Sequence, residues 1–404
     1  MKTREKEKNI ASLRVTKLEL FDRMFLLGPP GIGKSEIIEQ LARKEAKELD
    51  KEFVNLRQAS IEKIRDIIEN PQKYYVFLQI MCPHILPEDI SVPNTRELLT
   101  GSEYYKVSLP LFLYIFTLNG IHGTLFLNEI TNVQRSDQIT LYFSLFNEKI
   151  IGMSAKLSDN VKVVAAGNPS SWSSVANELP LPMRMGRMII LQVDPPTLED
   201  WLTYMSDRYE DKWEQKVYLY LKLYPEDFLK QVKLDELKEN EALACPRSWT
   251  RLALLLYELR KKGYSYNDPL VYEVARGLVG PRVAPQFISF LNTNISEEII
   301  ERIKKGDLNA YKSLNETEKY LLIYMIVQKE PEEILEFKEF IKYIAKYDRE
   351  YAAMFLSFLS TKKAWRIITD PEINKALSNL IEYIKIPRLI KVISSIQQGQ
   401  EQKA

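Results

Sequence analysis

A chain of 404 residues has room for two or three domains of roughly 150 residues each, which excludes a small scaffold held together by disulfides or a metal. It is 45% hydrophobic and 27% charged, with 14 Gly and 20 Pro, the balance of an ordinary folded, soluble protein rather than a disordered or collagen-like one. Lys plus Arg number 56 against 55 Asp plus Glu, a formal charge of +1, so no global field draws the chain to a polyanion and charge disfavours nucleic acid as a partner.

Residues 1–20 read as a charged N-terminal segment. It opens MKTREKEK and lacks the apolar core of a signal peptide. Met24-Phe25-Leu26-Leu27 is a short apolar run ended by Gly28-Pro29-Pro30-Gly31, as a buried parallel strand reads. From Ser35 to Asp50 the apolar residues Ile37, Ile38, Leu41, Ala42, Ala46 and Leu49 fall at helical spacing. Further strand-like runs occur at Tyr75 to Ile80, Thr124 to Leu127, Val161 to Ala166 and Met188 to Val193. Strands alternating with helices predict an α/β core with a parallel sheet. His122, beside Gly123, is expected in an exposed turn.

The pattern changes at Asp194-Pro195-Pro196. Thr197, with Asp200 three positions on, predicts a helix N-cap, and almost every later segment is helix-periodic, including 332–347 and 350–360. Asp370-Pro371 starts another helix, and residues 397–404 are a polar end. Lys and Arg in the helices beyond about residue 292 are interleaved with Glu and read as solvated faces. Two cysteines, Cys82 and Cys245, and two histidines, His84 and His122, offer no zinc spacing. The longest apolar stretches fall short of the roughly 18 to 20 residues that span a bilayer. No membrane role and a cytoplasmic location are the expectation.

The strongest chemical signal is Gly28-Pro29-Pro30-Gly31-Ile32-Gly33-Lys34-Ser35, a full match to GxxxxGK[ST] between a predicted strand and a predicted helix. Glycines let backbone N–H groups curl around phosphate oxygens at the positive end of the helix. Lys34 reaches the β- and γ-phosphates, and Ser35 offers a hydroxyl to magnesium. Glu129 comes directly after the strand ending in Asn128, which places both at the carboxyl edge of the sheet, where the phosphate loop also lies. Glu129 is a candidate base for the attacking water, and Asn128 stands where an acidic residue supports magnesium; alternatively the pair ends the strand and caps the next helix. Asn168 ends a further strand and is suited to hold the water or a phosphate oxygen, or to form an Asx turn before Pro169.

The order GPPGIGKS, TLFLNEI, VAAGNP, LPLPMRMGRM and CPRSW resembles the AAA+ superfamily of ring-forming ATPases, most closely its MoxR-like branch, over residues 20–290. The resemblance implies a P-loop NTPase domain over 21–194, a helical lid over 195–291 and an additional C-terminal all-helical region over 292–404. It implies that Glu129 is the catalytic glutamate, Asn168 sensor 1, Arg187 the arginine finger acting on the neighbouring subunit (with Arg184 as the substitute), and Arg247 sensor 2. Either arginine could instead form a surface ion pair. Pro87-Glu88-Asp89-Ile90 with Pro93 is loosely similar to a PEDxxGxP segment of that branch, one residue shorter and without the glycine.

The same resemblance implies an ATPase using ATP and Mg2+ at the interfaces of a homo-oligomer, hexameric in the family, that remodels or activates a protein client. Val279-Gly280-Pro281 and the apolar residues after it resemble the lid of members whose partners carry a von Willebrand factor A-type domain. The other readings are a nucleic-acid-dependent motor or translocase and a slow, nucleotide-gated scaffold. Asn128, where the family has aspartate, favours slow hydrolysis.

Overall fold

The structure, a computed structural model, describes residues 19–90, 92–93, 107–151, 155–173, 175–230, 241–377 and 380. Most of the charged N-terminal segment and the polar end from 397 therefore lie outside the described residues. Two compact units meet in the sequence between Pro195 and Pro196.

The first unit is built on six strands: β1 (Met24–Leu27), β2 (Glu52–Asn55), β3 (Tyr74–Met81), β4 (His122–Asn128), β5 (Val161–Gly167) and β6 (Ile189–Gln192). Every pairing is parallel, and the strand order is β6-β1-β5-β4-β3-β2. Interior strands of such a sheet are covered on both faces and so are apolar almost throughout. Leu125, Phe126 and Leu127 in β4 are fully buried, as are Val163 to Ala166 in β5. The three longest helices of this unit are α1 (Lys34–Glu48), α2 (Ile61–Glu69) and α3 (Ser136–Glu148). On α1 the buried residues Ile38, Leu41, Ala42 and Ala46 recur three or four apart and pack it over β2, β3 and β4. Register then aligns the strand ends. Leu27 lies opposite Gly167 and Leu127 opposite Ala165, so the segments after β1, β4 and β5 leave the sheet at one edge.

The second unit contains α4 (Leu198–Tyr209), α5 (Lys216–Leu223), α6 (Pro246–Lys261), α7 (Pro269–Val279), α8 (Ala284–Leu291), α9 (Glu297–Lys304), α10 (Leu308–Lys312), α11 (Glu316–Gln328), α12 (Pro331–Leu335), α13 (Lys338–Tyr347), α14 (Arg349–Phe358), α15 (Thr361–Ile368) and α16 (Pro371–Leu377). No strand occurs after β6 among the described residues. Thr197 and Asp200 form a reciprocal capping box at the start of α4, an arrangement worth about 1 kcal/mol. Asp370 caps α16 by accepting from the N–H of Glu372 at 2.9 Å and of Ile373 at 3.1 Å. One buried apolar cluster extends from Trp201 to Leu380, with Trp213, Trp249, Tyr220 and Phe287 among its largest side chains. The expected parallel α/β core and helical remainder are both present.

Three local expectations change. The edge strand β2 has no signature in the sequence, because four residues with Val54 alone buried make no apolar run. His122 opens β4 rather than lying in an exposed turn; it is half-buried, and its Nδ1 meets the Gly120 carbonyl at 3.2 Å. Burial lowers its pKa from the ordinary histidine value. The helix expected over 332–347 is divided between α12 and α13, because Phe337 turns into the core and is 1% exposed.

Candidate functional site

The loop from Gly28 to Gly33 joins β1 to α1, and its glycines meet two different demands. At Gly28 a Cβ would lie 2.4 Å from the Val193 carbonyl oxygen, so the backbone can pass there only without a side chain. Gly31 and Gly33 have φ of 78° and 98°, in the left-handed region that costs other residues steric strain. Ile32 between them is 4% exposed and pins the loop to the protein. Gly33 precedes α1 without supplying a side-chain cap. The start of α1 therefore carries no side-chain cap, and its positive dipole end faces the loop.

Lys34 is 8% exposed. Its ammonium donates to the carbonyl oxygens of Gly28 at 2.8 Å and Pro29 at 2.7 Å and to Asn168 Oδ1 at 2.9 Å. The ends of β1 and β5 are thereby joined through one side chain. Asn168 is itself oriented from the segment after β4: its backbone N–H donates to Thr131 Oγ1 at 2.9 Å, and the Thr131 carbonyl accepts from the N–H of Asn177 at 2.7 Å. A Cβ on Gly167 would come within 2.7 Å of both Thr131 side-chain atoms Cγ2 and Oγ1, so this approach also requires glycine.

Glu129 succeeds β4 with φ 58° and ψ 34°, a left-handed conformation unusual for glutamate. Such strain persists only where the surroundings enforce it, and it gathers at functional sites. Asn128 Oδ1 accepts from the Glu129 N–H at 3.1 Å, and Asn128 Nδ2 approaches Met81 Sδ at 3.4 Å. Asn132 Nδ2 lies 3.4 Å from Glu129 Oε2, while Asn132 Oδ1 is buried without a hydrogen-bond partner among the described residues. Thr131 and Asn132 belong to the site without belonging to any sequence motif, whereas Gly167 lies within VAAGNP; the polar residues directly adjoining the strand end are the one signal that points to the first two.

Ser35 is partly buried in the first turn of α1. Arg184 is exposed and pairs with Glu178 at 3.1 Å. Arg187 is exposed, and its guanidinium lies 5.1 Å from the Phe143 ring centroid. Arg247 belongs to the second unit, exposed in the first turn of α6 with no polar partner among the described residues. Of the motif similar to PEDxxGxP, Pro87–Ile90 is one turn of helix and Pro93 ends the two-residue strand Val92–Pro93. The expected site residues on the sheet edge thus converge, with Lys34 and Asn168 in direct contact. Among the described residues no group of three or more His, Cys, Asp or Glu is placed to hold a metal.

No protein-family model matches the chain, and no curated protein matches it in sequence. Among solved structures it is similar to ORC1 of Aeropyrum pernix in complex with DNA, at 13% identity and a TM-score of 0.33, covering 86% of this chain and 80% of that one. It is also similar to Cdc6p of Pyrobaculum aerophilum, at 17% identity and a TM-score of 0.32 over 94% of this chain and 88% of that one. AMPPCP-bound DnaA of Aquifex aeolicus gives 12% identity and a TM-score of 0.30 over 96% and 91% respectively. At these TM-scores the likenesses carry no functional argument, and what the chain does has to be read from the edge of its own sheet.

Proposed function

We propose that the protein is an ATPase of the AAA+ superfamily and its MoxR-like branch, binding and hydrolysing ATP with Mg2+ between the subunits of a ring and using the cycle to remodel or activate a protein client. The observation that carries the nucleotide reading is the convergence of Lys34 and Asn168 on a glycine loop that opens into a helix. Backbone N–H groups of the loop and first turn fit phosphate oxygens, and Lys34 adds a full positive charge. The Ser35 hydroxyl and Asn128 amide oxygen suit a Mg2+ that retains several waters, whose part in the chemistry is to neutralise phosphate charge. Glu129 takes the proton from the attacking water, and Asn168 holds that water or a phosphate oxygen. Arg187 serves the neighbouring subunit's site in preference to Arg184, which already has a carboxylate partner. Arg247 is the sensor of nucleotide state in the lid, taken as residues 195–291.

Lys34→Ala is expected to weaken ATP binding by about 10- to 200-fold, the worth of one or two charge-assisted hydrogen bonds. Titration with a fluorescent ATP analogue measures it, and an unchanged affinity would refute the site.

The slow, nucleotide-gated form of this reading has an observation of its own. Asn128 is neutral, and its oxygen is already engaged by the Glu129 N–H, so magnesium finds a weaker anchor than a carboxylate. Asn128→Asp should lower the magnesium concentration that half-saturates ATPase activity. The same half-saturation point in both proteins would mean that Asn128 does not govern the metal.

A further inference from the structure

In the second unit a cavity of about 400 Å³ opens among α5, α6, α9 and α11, with Lys216, Arg260, Tyr266, Tyr324, Glu297 and Met325 in its lining. Ile300 and Leu321 extend the apolar wall. Its volume falls within the range of small-ligand sites. Lys216 is only 4% exposed, a costly place for a charge. Its ammonium donates to the Leu291 carbonyl at the end of α8, at 2.7 Å, and more weakly to the Thr293 carbonyl at 3.4 Å. An ammonium has three N–H donors, and the third has no hydrogen-bond partner among the described residues.

The surroundings of Lys216 specify what that donor can meet. Its Nζ lies 5.0 Å from the Tyr266 ring centroid and 5.5 Å from that of Tyr324. Arg260 stacks on the Tyr266 ring at 4.5 Å, spends one N–H on the Tyr264 carbonyl and has no ion pair among the described residues. The Tyr266 hydroxyl donates to Glu214 Oε2 at 2.6 Å. Burial raises the Tyr266 and Tyr324 phenols above the ordinary tyrosine range, so both walls stay neutral. Burial also pulls the Lys216 ammonium below the ordinary lysine range, with Glu214 opposing the shift. A negative charge arriving beside Lys216 would relieve that penalty.

We propose that this cavity binds a carboxylate carried on a compact apolar body, as in an apolar α-amino acid or the C-terminal residue of a peptide. Lys216 and Arg260 hold the carboxylate, Ile300, Leu321 and Met325 take the apolar side chain, and Glu297, which has no ion pair among the described residues, accepts from the nitrogen of the ligand. A phosphate is the poorer fit: its second negative charge would face Glu297, Glu301 and the buried Glu214, and the third cation of the lining, Lys329, is already paired with Glu333 at 3.3 Å. The proposal is independent of the nucleotide site.

The test is calorimetric titration of the full chain with L-leucine, L-leucinamide, N-acetyl-L-leucine, and a hexapeptide ending in leucine with a free or an amidated terminus. Saturable binding of a free acid is expected, at least about tenfold weaker for its amide and about tenfold weaker again in Arg260→Gln. Tighter binding of leucine than of its acetyl form assigns the site to a free amino acid; the reverse assigns it to a chain terminus. Lys216→Met also removes a cap from α8, so Met325→Trp, which fills the cavity from a half-buried position, serves as the second variant and should abolish binding. Equal binding of acid and amide, no saturation by any probe at millimolar concentration, or undiminished binding in Met325→Trp overturns the proposal.

Discussion

Arg187→Ala is expected to lower ATP turnover by roughly 10³- to 10⁵-fold, the contribution of an arginine supplied to a phosphoryl-transfer site. The folded chain should hardly register the change. Arg187 is exposed and rests against Phe143 at 5.1 Å, and a cation–π contact at an exposed site is worth about 0.5 to 1 kcal/mol. Its thermal unfolding midpoint should therefore stay near that of the parent. The decisive form of the measurement mixes two inactive proteins. In a ring assembled from Lys34→Ala and Arg187→Ala subunits, some interfaces combine an intact phosphate loop with an intact arginine. Turnover should reappear on mixing, and its failure to do so would remove the assignment in trans.

Glu129→Gln comes second in size, with an expected loss of roughly 10² to 10⁴ in turnover, the usual worth of a positioned general base. The substitution keeps the shape, the β-carbon and an oxygen able to accept from Asn132 Nδ2, so the left-handed backbone at 129 loses none of its supports. ATP affinity should remain within a few-fold of the parent. Single-turnover hydrolysis measured beside equilibrium ATP binding separates the two effects. Parallel loss of both would mean that Glu129 holds the loop rather than the water.

Much of the first unit is legible because a parallel sheet writes itself as apolar runs. Of the six strands of that sheet, β2 alone escapes: it lies at the edge with one buried residue and borrows its order from β3. The phosphate loop is legible for a different reason, since few other structures need glycine at those positions beside lysine and serine. Thr131 is not legible. Its importance comes from meeting Asn168 across 37 residues of sequence, and no local pattern encodes such a meeting. The helical unit shows the same limit in reverse. Its helices and the caps at Thr197 and Asp370 are encoded in local pattern, whereas nothing in the sequence around Lys216 marks it as a cation that folding buries beneath two tyrosines.

The three hydrogen bonds of Lys34 set a condition on whatever displaces them. Two main-chain carbonyls and the Asn168 amide occupy a donor complement of three. Capture of a ligand there is an exchange of acceptors, not the filling of an idle charge. An orthophosphate ion engaging one donor must leave the others in place or break them uncompensated, whereas adjoining phosphates along a chain can replace several together. On the proposed nucleotide reading, the resting conformation of this one side chain favours a chain of phosphates over a single small anion.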